Sequence, residues 1–157
     1  MTEIIKQRIT AVPGGDFVVF LIGMRINKPW KIHKWLPVAL AMPKMVDELY
    51  KTPDLGFLGH HQWLGQTTIM VQYWKSFEHL ENYAKSRSAL HLPAWKAFNQ
   101  KVASNGDVGI WHETYLINKG RHESVYNNMP LFGLAKATEG IVVGEKQESA
   151  KKRINPS

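Results

Sequence analysis

Histidine is the side chain here best suited to proton transfer near neutral pH, and the chain has seven. An imidazole can accept a proton, donate one or ligate a metal. His60 and His61 are neighbours in a strand-like stretch, so they point to opposite faces and cannot serve one site; His60 is the pocket candidate. His91 stands between YAKSRSAL and Pro93-Ala94-Trp95. His112 lies in VGIWHETYLIN, where Trp111, Glu113 and Tyr115 share one face and Ile110, His112, Thr114 and Leu116 the other. Alternation does not say which face meets a pocket. There is no HExxH and no facial two-His-one-carboxylate spacing, so no metal site is expected.

Three further groups could shape a site. Trp74, Trp95 and Trp111 could line a slot for a flat molecule. Arg25 and Arg87 could bind a carboxylate. Tyr126, Asn128 and Met129 fall in YNNMPLFG, a loop-like segment whose donors could close a pocket or pack as a turn-rich strap. The chain has no cysteine, which removes disulfides, thiol catalysis and Cys-ligated metals. GxSxG, GxGxxG and GxxxxGK[ST] are absent too, so neither a nucleophile elbow nor a nucleotide loop is expected.

The elements that must position these groups read as follows. Pro13-Gly14-Gly15 breaks the chain before FVVFLIGM, a buried strand at 17–24. Residues 28–50 read as helical from Pro29, with Pro37 and Pro43 predicting a kink or two shorter helices. Residues 55–65 and 66–74 form a strand pair about a turn at Leu64-Gly65-Gln66. In the second strand Thr68, Met70, Gln72 and Trp74 share one face, and Thr67, Ile69, Val71 and Tyr73 the other. Ser76 caps a helix through SFEHLENYAKS, a further helix covers about 91–104, and 108–118 is the last clear strand.

This βαββαβ order predicts an α+β, ferredoxin-like split βαβ fold with one four-stranded antiparallel sheet and helices on one face. The other face is also apolar, and a second copy is its simplest cover, so a homodimer is expected. The domain would span 1–144, with a C-terminal strap over about 120–144 and a basic flexible tail at 145–157.

With 157 residues, 44% hydrophobic and 21% charged, the chain is one globular domain. Its apolar runs are too short to span a bilayer, and its N-terminus lacks a secretory layout. A cytoplasmic protein with no membrane partner is expected. The net charge of +7 is spread out, with +3 from 28–51 and +2 from the tail and no nucleic-acid motif, so no nucleic-acid partner is expected.

YWKSFEHLENYA, HLPAW, WHETY and the stretch from Tyr126 to Leu134 together resemble the antibiotic-biosynthesis-monooxygenase type of dimeric α/β barrel. Within it they resemble the small family related to fungal polyketide monooxygenases and labelled phenylacetaldoxime-dehydratase-related. The resemblance covers about 15–143. It implies a monooxygenase-like oxidoreductase with no cofactor, acting on a hydrophobic aromatic or polyketide-like small molecule. His91 or His112 would take the proton, Tyr126 and Asn128 would stabilise an oxyanion, and His60, Trp111 and Met129 would line the substrate pocket. It equally admits a heme protein, with His91 on the iron and Trp74, Trp95 and Arg87 around the cofactor. Trp74, Phe77, Ser86 and His91 match the heme-degrading branch with altered spacing, but FVVFLIGM lacks that branch's first-strand asparagine. A non-catalytic ligand-binding dimer is the third expectation.

Overall fold

The computed structural model describes residues 3–86, 96–98, 100 and 105–154. Four strands form the main sheet: β2 (Phe17–Ile26), β3 (Phe57–Trp63), β4 (Ile69–Trp74) and β5 (Val108–Ile117). All neighbours are antiparallel, in the order β3-β4-β2-β5. Helices α1 (Ile32–Lys51) and α2 (Phe77–Lys85), with a helical stretch at 96–98, cover one face. This is the expected α+β split βαβ arrangement.

Patterning explains the layers. Val18, Phe20, Ile22 and Met24 alternate toward the helices along β2, while Phe17 and Val19 pack on the opposite side. Ser76 caps α2 as its sequence predicts, its Oγ accepting from His79 N at 3.3 Å. The Tyr83 hydroxyl then ties α2 to α1 by donating to Glu48 Oε2 at 2.9 Å. Burial and that carboxylate push the Tyr83 phenol well above its usual range.

Two features depart from the sequence reading. Helix α1 continues as one helix through Pro37 and Pro43, so of the expected kink or two shorter helices the split does not occur. Both prolines are exposed, so the carbonyls they leave unpaired one turn earlier can be hydrated. The helix also starts later than Pro29. Its entry is fixed by Asp107, whose side chain is only 3% exposed and takes ion pairs from Lys28 Nζ at 2.8 Å and Lys31 Nζ at 2.9 Å. Hydrogen bonds from these ammonium groups hold the Asp107 carboxyl below its ordinary value.

The second departure is a small sheet that the sequence did not announce. β1 (Ile9–Ala11) pairs antiparallel with β6 (Gly140–Val142), and α3 (Gly133–Ala137) precedes β6. Tyr126 and Ile9 exchange both backbone hydrogen bonds at 2.9 Å, and Ile5 N donates to Met129 O at 3.0 Å. Ile9, Ala11, Leu134 and Ala135 bury against Phe17, Val19 and Tyr73 of the main sheet. The chain's own ends thus cover part of the face assigned above to a second copy. Leu21, Trp111, Glu113 and Tyr115 lie on the same face outside that cluster.

The segment expected as a flexible tail carries structure through Ile154. A 3₁₀ turn at Glu145–Gln147 leads to α4 (Ala150–Ile154), and Arg153 Nε donates to Glu123 Oε1 at 2.6 Å. Arginine rather than apolar burial makes this contact.

Candidate functional site

Two packed clusters hold the helices off the sheet. Toward the start of α1, Met24 and Val108 pack with Trp35, Val38 and Phe98. Toward its end, Val18, Trp74, Leu49, Leu80 and Tyr83 form the densest part of the core. Between the clusters is a cavity of about 390 Å³. Phe20 and Ile22 of β2 make its floor. Pro37, Val38, Ala41, Met42 and Met45 of α1 and Phe77, Leu80 and Ala84 of α2 make its walls. This size and lining suit a small apolar ligand.

Polar groups are few among the described lining residues: Lys34, Glu81, His112 and Thr114. His112 and Thr114 are exposed on the edge strand β5 and form an open side. The His112 ring sits 5.7 Å from the Phe20 ring, tilted by 43°. Glu81 is engaged by Lys85 Nζ at 2.7 Å on the next turn of α2. The structure therefore answers the question alternation left open: the face of β5 bearing His112 meets the helices.

The other candidates do not converge on His112. His60 does face the helices, but from β3 at the far edge, where its Nδ1 bonds the Tyr50 hydroxyl at 3.0 Å. Burial and nearby Lys136 lower its pKa. His61 points the opposite way, as pleating requires. Its Nε2 accepts from Gly133 N at 2.9 Å, and its ring stacks 4.1 Å from Phe132. Burial, Lys136 and His60 lower its pKa too.

Trp111 is on the far face, with Nε1 donating to Thr68 O at 3.3 Å. Gly23, its partner in register, leaves room for that approach, since a Cβ there would lie 2.0 Å from Thr68 O. Tyr126, Asn128 and Met129 belong to the strap on the far face, separated from the cavity by the sheet. Asn128 takes a positive φ of 54°, consistent with a turn role. Burial and Tyr126 push the Tyr73 phenol up to about 12. Arg25 donates to Thr67 Oγ1 at 2.6 Å. His91, Arg87 and Trp95 lie outside the described residues.

The cofactor set is tested by Trp74. It is 0% exposed, packs edge-on against Phe57 at 5.3 Å, and gives its N–H to Gln72 Oε1 at 2.9 Å. A heme could stack on this ring only by displacing the core, so Trp74 does not fit the predicted cofactor slot. Among the described residues no three metal-ligating side chains come together.

Sequence reasoning missed most of the cavity wall. Its signal was there in Val38, Ala41, Met42 and Met45, but such a stripe reads equally well as ordinary core.

Comparisons with known proteins bear on this arrangement. The chain is 30% identical over 149 residues to monooxygenase af470 of Aspergillus fumigatus, a match taking in 82% of this chain and 53% of that protein. Two solved structures share the fold. An aldoxime dehydratase in complex with butyraldoxime superposes with a TM-score of 0.65 at 14% identity, over 82% of this chain and 41% of the other. A second aldoxime dehydratase gives 0.62 at 15%, over 88% and 43%. The chain thus spans about half the length of these relatives. The sequence profile of the monooxygenase af470-like family matches residues 17–134, the span from β2 into α3, and the chain belongs to that family.

Proposed function

We propose that the chain is a monooxygenase-like oxidoreductase whose substrate is a hydrophobic, electron-rich aromatic or polyketide-like molecule held in the cavity between sheet and helices. The observation that carries this reading is His112, an imidazole at the open side of a largely apolar pocket. His112 takes a proton from an acidic C–H or O–H of the substrate. The apolar walls hold the body of the substrate, and dioxygen is the co-reactant. A methylene that loses its proton, adds dioxygen and then loses water ends as a carbonyl; one oxygen atom stays and the other leaves as water. Thr114, two residues along the same strand face, orients the substrate oxygen by a hydrogen bond.

In this reading His91 is not needed as base, and Tyr126, Asn128 and Met129 organise the strap. A homodimer fits the part of the far face that carries Leu21, Trp111 and Tyr115 outside the strap's cover. A cytoplasmic location is part of the same proposal; no helix among the described residues is long and apolar enough to cross a membrane.

The test is oxygen uptake with phenolic and enolisable aromatic substrates. Wild type is expected to consume oxygen. His112→Asn should lower the rate by about 10²–10⁴-fold while ligand binding changes far less. Saturable binding without oxygen uptake would leave a ligand-binding protein instead.

A further inference from the structure

The water-facing side of α1 is built in an unusual way. A surface helix normally turns polar residues outward. The last two turns are mostly polar outward, with Lys44, Asp47 and Lys51 exposed beside the Tyr50 phenol. The first three turns do not: Ile32 is 54% exposed, Leu36 38% and Leu40 56%, and Trp30 just before the helix is 74% exposed. Spacing of four stacks Ile32, Leu36 and Leu40 on one face. Pro37 and Pro43 are exposed beside them. Single exposed apolar residues are ordinary; a contiguous row marks a surface that meets something.

The charge around this row has one sign. Between Ile26 and Val46 there is no Asp or Glu, while Lys28, Lys31, Lys34 and Lys44 are present with His33. Lys28 and Lys31 share a single carboxylate, Asp107, so even that cluster keeps a positive charge. An apolar face flanked by a net basic stretch is complementary to an anionic lipid surface: the side chains enter the acyl boundary and the ammonium groups meet the headgroups.

We infer that the first three turns of α1, with Trp30, form a membrane-surface docking face on which the protein lies flat against an anionic bilayer. The chain rests on the surface without spanning it. The sequence suggested no membrane partner because runs of apolar residues are short; the folded helix assembles its row from residues four apart. Pro37 belongs both to this face and to the cavity lining, so a lipid-dissolved apolar molecule would meet the cavity beside the docked surface. The inference is independent of the proposed chemistry, because docking is measured without turnover.

The experiment is co-sedimentation of the full chain with phosphatidylcholine vesicles, with and without phosphatidylserine. Wild type should pellet with the phosphatidylserine vesicles and not with phosphatidylcholine alone. Leu36→Asp/Leu40→Asp should weaken binding by about tenfold or more. Trp30→Ser/Ile32→Ser should do likewise, and stands in if the first variant fails to fold. Lys151→Gln/Lys152→Gln, in the other basic segment, should bind as wild type.

No pelleting, or equal pelleting with both vesicle types, would overturn the inference. So would loss of binding in the tail variant while both α1 variants bind normally. A concentration-dependent dimer that Leu36→Asp/Leu40→Asp abolishes, with no lipid binding by wild type, would make a second copy the occupant and also overturn it.

Discussion

The helix-covered face of the sheet and its strap-covered face solve the same burial problem differently. On the helix face, large side chains gather in two clusters and leave a cavity of about 390 Å³ between them. On the other face, small residues such as Ala11, Gly133 and Ala135 let backbone approach the sheet closely, and His61 adds a hydrogen bond from its ring to the strap. A helix pair held apart at its ends can enclose a ligand, whereas the strap is pressed onto the sheet by backbone contacts. The candidate base, His112, sits on the face with room.

This contrast can be broken first at Trp74. Trp74→Ala should cost about 3–5 kcal/mol in chemical denaturation, because it removes a large, fully buried side chain from the helix face. Ala41→Phe, in the α1 wall of the cavity, should leave unfolding free energy within about 1 kcal/mol of wild type while abolishing ligand binding, since its added volume enters existing space. A large loss of stability in Ala41→Phe would show that the cavity is not spare room.

On the strap face the sensitive position is Gly133. Its φ of 54° is left-handed, and the Tyr73 and Tyr126 hydroxyls crowd the place a Cβ would take. Gly133→Ala should cost about 1–2 kcal/mol and raise protease cutting within 126–142, with ligand binding in the cavity retained. Ser76→Ala should cost about 1 kcal/mol by removing the α2 cap. Because α2 is a cavity wall, its ligand affinity should fall along with its stability, unlike that of Gly133→Ala.

The mildest perturbation is pH. The pKa of His61 is lowered in the folded protein, so its neutral form is favoured there and the unfolded chain binds more protons just below pH 6.5. Its contribution is therefore complete above the unfolded pKa and is lost as pH falls toward the folded one. The geometry agrees: a protonated His61 can no longer accept from Gly133 N. His60, whose pKa is lowered as well, acts in the same window. Stability should fall on acidification below about pH 6.5. His61→Gln, which keeps an acceptor but does not titrate, should flatten part of that slope. An unchanged slope would remove His61 from the strap's docking.

The βαββαβ order was legible because its strands are long and its turns marked, and β4 even gave its two faces correctly. Opposite faces for His60 and His61 followed from pleating alone. The face sets of β5 were legible as sets, but assigning one to the helices needed the packed structure. β1 and β6, at three residues each, carry too little pattern to be read, and with them went the knowledge that the strap covers its own sheet. That is why Tyr126, Asn128 and Met129 looked like pocket residues: the segment is rich in donors, and sequence gives no sign of which side of the sheet it crosses. The prolines of α1 misled for a related reason, since a break in the hydrogen-bond ladder is tolerable where water can fill it.

The pairing of Ile9–Ala11 with Gly140–Val142 also bears on how the molecule comes together and comes apart. It joins segments at nearly opposite ends of the sequence, so almost the whole chain forms the loop that this contact closes. Closure on that scale is entropically costly and gains most once the main sheet is already in place. The small sheet should then zip last during folding and open first under native conditions. Amide exchange at 9–11 and 140–142 should accordingly rise and fall together, ahead of the main strands. Removing either partner strand should loosen the other, so the first dozen residues act as a clasp for the strap.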